Sequence, residues 1–220
     1  MPLYVVATPI GNPEDISSRA KSILDSAGII IGEEAKPTRK LLKSAGASPS
    51  KPIELLNEHS DSARIKELGE LCKSNEVVLV SDCGTPGFCD PGAELVDHCH
   101  KHSIPVLSCP GPSSLMAFLS VSGHRFDQFF FQGFLPANTE ERRKRLSNLK
   151  KCTDSIVLMD TPYRLVKTLE NCTEFFPKRD IILATNLSRE NEKVYRGKAE
   201  KIKSKLAEEK AEFVLAILSV

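Results

Sequence analysis

Residues 77–92, VVLVSDCGTPGFCDPG, restrict the fold more than any other stretch of the chain. Val77, Val78, Leu79 and Val80 form a short, mostly β-branched run that suits a strand buried on both faces. A serine, an aspartate and a glycine follow at once, then two turns marked by proline and glycine, at 85–87 and 90–92. A helical pattern opens beyond them, with Leu95, Val96 and Cys99 on its apolar face. Strand, glycine-bearing loop and helix in this order predict an open α/β sheet, which binds ligands at the carboxyl ends of its strands. Gly84 and Gly87 let backbone approach a ligand closely, and Asp82 supplies one fixed carboxylate.

With 220 residues the chain has room for one large or two small domains. Its net charge of +1 gives no global signature of a nucleic-acid binder, so such a partner has to meet a local basic patch. Seven cysteines without a CxxC pair, and nothing resembling a secretion signal, predict free thiols in a reducing cytoplasm. No apolar run is long enough to span a bilayer, so no membrane partner is expected.

Residues 3–7 predict a strand ending in Thr8-Pro9-Ile10-Gly11-Asn12, a second glycine-bearing loop. Pro13, Glu14 and Asp15 predict a helix start, with core face Ile16, Ala20, Ile23, Leu24 and Ala27. Strands at 29–31, 53–56 and 106–108 follow the same rhythm. A short helix lies near Leu41 and Leu42, and another is capped by Asp61 or Ser62. Together these predict a parallel α/β domain over residues 1–112. Cys109-Pro110-Gly111-Pro112 breaks the alternation. Residues 113–220 predict a second α/β domain with an apolar helix after Ser113-Ser114, a charged helix at 140–151 and five short strands. Two of those strands lie close together around Asn191, which implies a mixed sheet.

Polar, Gly/Pro-marked segments at 8–12, 81–87, 111–114, 133–136 and 184–187 fall at strand ends or helix starts, and such segments from two domains converge on an interdomain cleft. None carries a phosphate loop or a dinucleotide fingerprint, so the ligand is held mainly through neutral backbone groups. His98 and His102 share a helical face, but no second cluster at ligand spacing completes a metal site, and none is expected. Arg142-Arg143-Lys144-Arg145 is a basic run on a helix that also carries Leu146 and Leu149. It reads either as a solvated face or as a phosphate contact.

The blocks YVVATPIGNPED (4–15), VSDCGTPGFCDPG (80–92), CPGPSS (109–114) and GFLP (133–136), with Arg142-Arg143, resemble the ribosomal small-subunit RNA (cytidine-2′-O)-methyltransferases. That family lies within the tetrapyrrole (corrin/porphyrin) methylase superfamily. The resemblance runs in register over nearly the whole chain. It implies two α/β domains with S-adenosylmethionine in the cleft between them, a cytoplasmic homodimer, and small-subunit 16S ribosomal RNA as substrate. Carried over by position, the cofactor touches Ile10, Asp82, Thr85, Ser113, Ser114, Met159, Ala184 and the last strand near Phe213, and Gly84 joins these from its place in the loop.

Several positions depart from the family pattern. The E-D-T-R segment after the second strand is Glu34-Ala35-Lys36 here, and A-R-E-L-T-K is Ala184-Thr185-Asn186-Leu187-Ser188-Arg189. The third strand is followed by Asn57-Glu58-His59, and the Tyr-Glu-Ser block is Met159-Asp160-Thr161. A ribose hydroxyl is a poor nucleophile and benefits from a group that takes its proton. By match to the charged loop, Glu34 and Lys36 are the catalytic candidates, and Arg142, Arg143 and Arg189 the candidates for RNA phosphate. The departures leave two alternatives open: a paralogue that methylates a tetrapyrrole, another small molecule or a protein, or a cofactor- or RNA-binding module without catalysis.

Overall fold

A computed structural model describes residues 1–219, which form two compact units that divide between Ser113 and Ser114. The first unit alternates strand and helix without exception: β1 (Leu3–Val6), α1 (Ser18–Ser26), β2 (Ile29–Gly32), α2 (Ala35–Ala45), β3 (Ile53–Leu55), α3 (Ser62–Ser74), β4 (Val77–Val80), α4 (Ala93–Lys101) and β5 (Val106–Cys109). The strands form one parallel sheet in the order β3-β2-β4-β1-β5. Successive strand residues point to opposite faces, and β4 shows it cleanly. Val78 and Val80 join Ala20, Leu24 and Leu42 of α1 and α2 in one core, whereas Val77 and Leu79 join Leu68, Cys72, Leu95 and Cys99 of α3 and α4 in the other.

This topology positions the ligand edge. The chain travels outward from β1 through β2 to β3 with its helices on one face. It then returns through β4 to β5 with its helices on the other, as right-handed crossovers require. The adjacent strands β1 and β4 therefore send their following helices to opposite faces. Their carboxyl ends open a crevice at the point where the winding reverses.

Two local expectations are corrected here. Pro13–Asp15 is a single 3₁₀ turn capped by Asn12, not the start of the long helix, because Ile16 adopts an extended backbone. Ser17 then caps α1 by accepting a hydrogen bond from the Ala20 amide at 3.0 Å. The helix expected near Leu41 begins earlier, at Ala35, which puts Glu34 at its N-cap and Lys36 in its first turn.

The second unit holds α5 (Ser114–Val121), β6 (Phe129–Phe134), α6 (Thr139–Leu149), β7 (Ser155–Asp160), α7 (Leu165–Phe175), β8 (Ile181–Thr185), β9 (Lys193–Gly197), α8 (Ala199–Lys203) and β10 (Phe213–Ile217). Its sheet runs β6-β7-β10-β8-β9. Only β6 and β7 are parallel; β10 runs antiparallel to both of its neighbours, and β8 and β9 form a hairpin. The mixed sheet inferred from the closeness of two strands is what forms. The GFLP segment, grouped above with the ligand loops, is half strand. Gly133 (φ +67°) sits at a register shift in β6, and Leu135 is buried in the core with Leu146, Leu158 and Leu165.

Candidate active site

In the first unit the loops after β1 and β4 are tied together by buried hydrogen bonds, and an exposed one adds the loop after β5. Thr8 is 1 % exposed and is the hub. Its amide donates to the Gly84 carbonyl at 2.8 Å, its hydroxyl donates to the Ser81 carbonyl at 3.1 Å, and the Gly84 amide donates back to that hydroxyl at 3.0 Å. Thr85 Oγ1 donates to the Pro112 carbonyl at 3.1 Å, which brings in the third loop. Gly84 holds φ at +89°, and a Cβ there would lie 3.4 Å from Ile10 Cγ2. Ile10, Asp82, Gly84 and Thr85 are thus gathered at one edge, as the strand-end loops implied. Ser113 follows Pro112 directly. Sequence reasoning missed Thr8, although a threonine at a strand end opposite a glycine loop is a signal for such a clasp.

The loops after β2 and β4 also meet. The Asp82 amide donates to Glu33 Oε1 at 3.2 Å. The Asp82 carboxyl is pushed up to about 6, first by burial and then by the charges of Glu33 and Glu34, with a backbone hydrogen bond from Glu34 opposing them. Asp90 is likewise pushed up to about 6 by burial and by Glu33, against a hydrogen bond with Ser81. No cation is among the groups acting on either carboxyl. Glu34 and Lys36 are both exposed beside this cluster on the chain, at the start of α2. Glu33 and Asp90 were not among the residues singled out from sequence. A cavity of about 330 Å³ adjoins the cluster, lined by Asn57, Glu58, Ser60, Asp90 and Glu94 among others. That is the lower end of the range for small-molecule sites.

In the second unit Ser114 Oγ donates to Met159 Sδ at 3.6 Å. Met159 and Ala184 are both register partners of Val214, so the three lie in one row across β7, β10 and β8. Phe213 belongs to the other face, with its ring in the core formed with α6, α7 and α8. Its backbone, not its ring, borders the Met159–Ala184 row.

The arginines divide. Arg142 is buried, so it is not one of the exposed cations of the basic run. It is 4 % exposed, with Nε donating to Asn171 Oδ1, Nη1 to Asp160 Oδ2 and Nη2 to Thr168 Oγ1, at 2.8, 2.7 and 2.7 Å. Burying a guanidinium without such partners would be very costly, and here β7 and α7 supply them. Arg143 is half-exposed and paired with Glu174. Arg189 is exposed in the turn that links β8 to β9.

A family model for Tetrapyrrole (Corrin/Porphyrin) Methylases matches residues 2–203. The chain belongs to this family. It is 38 % identical over 197 residues to Ribosomal RNA small subunit methyltransferase I of Thermotoga maritima, covering 89 % of this chain and 87 % of that one. With the protein of the same name from Leptospira biflexa the identity is 32 % over 216 residues, covering 98 % and 90 %. The fold is similar to a crystal structure of diphthine synthase, with a TM-score of 0.78 at 15 % identity, covering 100 % of this chain and 90 % of that one. It is also similar to uroporphyrin III C-methyltransferase from Thermus thermophilus, with a TM-score of 0.66 at 17 % identity, covering 99 % and 97 %. As a member of this methylase family the chain is an S-adenosylmethionine-dependent methyltransferase. The residues present suit that cofactor. The first unit offers backbone-rich loops and carboxylates with no cation acting on them, which are compatible with a ligand carrying cationic sulfonium and ammonium groups. Among the described residues no helix is long and apolar enough to cross a membrane, and no group of three metal-ligating side chains occurs.

Proposed function

We propose that this methyltransferase modifies the ribose 2′-oxygen of a cytidine in 16S RNA of the small ribosomal subunit, in the cytoplasm and as a homodimer. The similarity to small-subunit RNA methyltransferases over nearly nine-tenths of both chains carries this reading. The cofactor contacts assigned to it are Ile10, Asp82, Gly84, Thr85 and Ser113 from the first unit. In the second unit the proposed contacts are Ser114, Met159, Ala184 and the Phe213 backbone.

S-adenosylmethionine, when bound, supplies a methyl carbon activated by the adjoining sulfonium. The chain then has two tasks. One is alignment: a displacement at carbon needs nucleophile, methyl and leaving group in line, and loops fixed by the buried Thr8 clasp present one rigid edge for it. The other is the proton lost by the 2′-hydroxyl as its oxygen bonds the methyl carbon. Glu34 accepts that proton, and Lys36, in the first turn of α2, stabilises the oxygen as its charge develops. Arg189, exposed beyond β8, holds a phosphate of the substrate strand.

Single-turnover transfer to small subunits lacking the modification tests this. Glu34→Gln is expected to lower the single-turnover transfer rate at least tenfold with little change in cofactor affinity. Unchanged transfer by Glu34→Gln and Lys36→Met alike would remove both from the mechanism.

A further inference from the structure

The second unit contains a cavity of about 110 Å³, lined by Thr139, Arg142, Arg143, Arg164, Lys167 and Asn171, with no carboxylate in its wall. At roughly 30 Å³ per water it has room for a few waters or for one compact anion. The surrounding charges are not balanced. Arg142 and Arg164 share the single carboxylate of Asp160, at 2.7 and 3.3 Å. Lys167 and Lys203 share Glu170, and Lys203 is the nearer at 2.7 Å against 3.7 Å. Arg143 is held by Glu174. Five cations thus divide three carboxylates. Asn171, 3 % exposed, accepts from Arg142 Nε through its side-chain oxygen.

A buried guanidinium held by three partners, two cations beside it that share their carboxylates with others, and the Thr139 hydroxyl make a seat for an oxyanion. We infer that this cavity holds one phosphodiester of the RNA substrate, an assignment that rests on the RNA reading above. Arg143, Arg164 and Lys167 supply the mobile charges. Arg142, locked to Asp160, Thr168 and Asn171, is a positioning residue that fixes the floor of the cavity. The side chains of Arg164 and Lys167 are 33 % and 58 % exposed, enough to reach a strand lying across the opening. A phosphodiester of a polyanion is favoured over a free carboxylate ligand because cations in excess gain from releasing the counterions condensed on a nucleic-acid strand. Neither Arg164 nor Lys167 belongs to the basic run that the sequence displays; they lie at the N-cap and in the first turn of α7, beside α6.

The test measures binding of a single-stranded RNA to wild type and to the Arg143→Ala/Lys167→Ala double variant over a range of salt. Wild type is expected to bind with log K falling linearly against log salt. The double variant should bind about tenfold more weakly at low salt, with a slope shallower by about 0.7, the equivalent of one phosphate contact on a single strand. Lys167→Arg should keep the wild-type slope. Denaturation midpoints verify that each variant folds, and calorimetry with S-adenosylmethionine should show the same affinity for all three. An unchanged slope in the folded double variant, or no RNA binding by wild type, overturns the assignment. Methyl transfer to small subunits is scored separately. Salt-dependent RNA binding through this cavity without transfer would leave the seat standing and remove the acceptor reading.

Discussion

Asp82 and Asp90 sit among carboxylates with no cation acting on them, and both are pushed from the usual 3.8 up to about 6 by burial and by neighbouring charge. The folded chain therefore holds these protons more tightly than the unfolded chain, so stability declines as pH rises from 3.8 through about 6. Asp82→Asn should be more resistant to urea than wild type above that window and equal to it below. Cofactor affinity should run the other way: in wild type it rises with pH through about 6, as Asp82 becomes available to a cationic group, and in Asp82→Asn it is weaker and flat. Calorimetry across that range checks both. At Gly84, whose φ is +89°, alanine should cost about 1–2 kcal/mol of stability and weaken cofactor binding, since only glycine adopts that backbone freely. Sequence made Asp82 and Gly84 legible because loop glycines and an acid follow a strand directly. It hid the charge state, because Glu33 is distant in the chain and meets Asp82 only across neighbouring strands.

Helix α6 shows how a motif misleads when it is read as a string. Four consecutive cations suggest a solvated face, yet Arg142, Leu146 and Leu149 are spaced four and three residues apart and form the buried stripe. The helical period already placed Arg142 inward; the charge run drew attention outward. Removing it should be severe. Arg142→Ala leaves the Asp160 carboxylate buried without its main partner, an expected loss of about 3–5 kcal/mol by denaturant titration. Adding Asp160→Asn should recover part of that loss, because the uncompensated charge is then gone. Strand β10 teaches the opposite lesson. Its apolar run identified a terminal core strand, but not that it lies between β7 and β8, since that pairing joins segments far apart in the chain. Helix α1 was found but its start was misplaced. Asn12 and Ser17 each cap a separate turn, and a proline with two acids reads as one start where there are two.

At the scale of the whole molecule the alternation of strands and helices fixed the class of each unit, and the closeness of β8 and β9 fixed the mixed character of the second sheet. Oligomeric state was not legible, because an apolar side chain on a surface strand has no sequence mark that separates interface from core. Sedimentation at micromolar concentration should give twice the 24.2 kDa of the chain, as the homodimer proposed here requires. A monomer mass throughout would reject it. The chemistry is tested most directly by locating the transferred methyl group. Small ribosomal subunits lacking the modification are incubated with the enzyme and S-adenosylmethionine carrying a labelled methyl, and the RNA is then hydrolysed in alkali. A methyl on the 2′-oxygen blocks cleavage at that linkage. The label is expected in one alkali-resistant dinucleotide whose first residue is a cytidine. Label on a base, or label that enters no RNA while the cofactor is consumed with a tetrapyrrole or protein acceptor, would contradict the account.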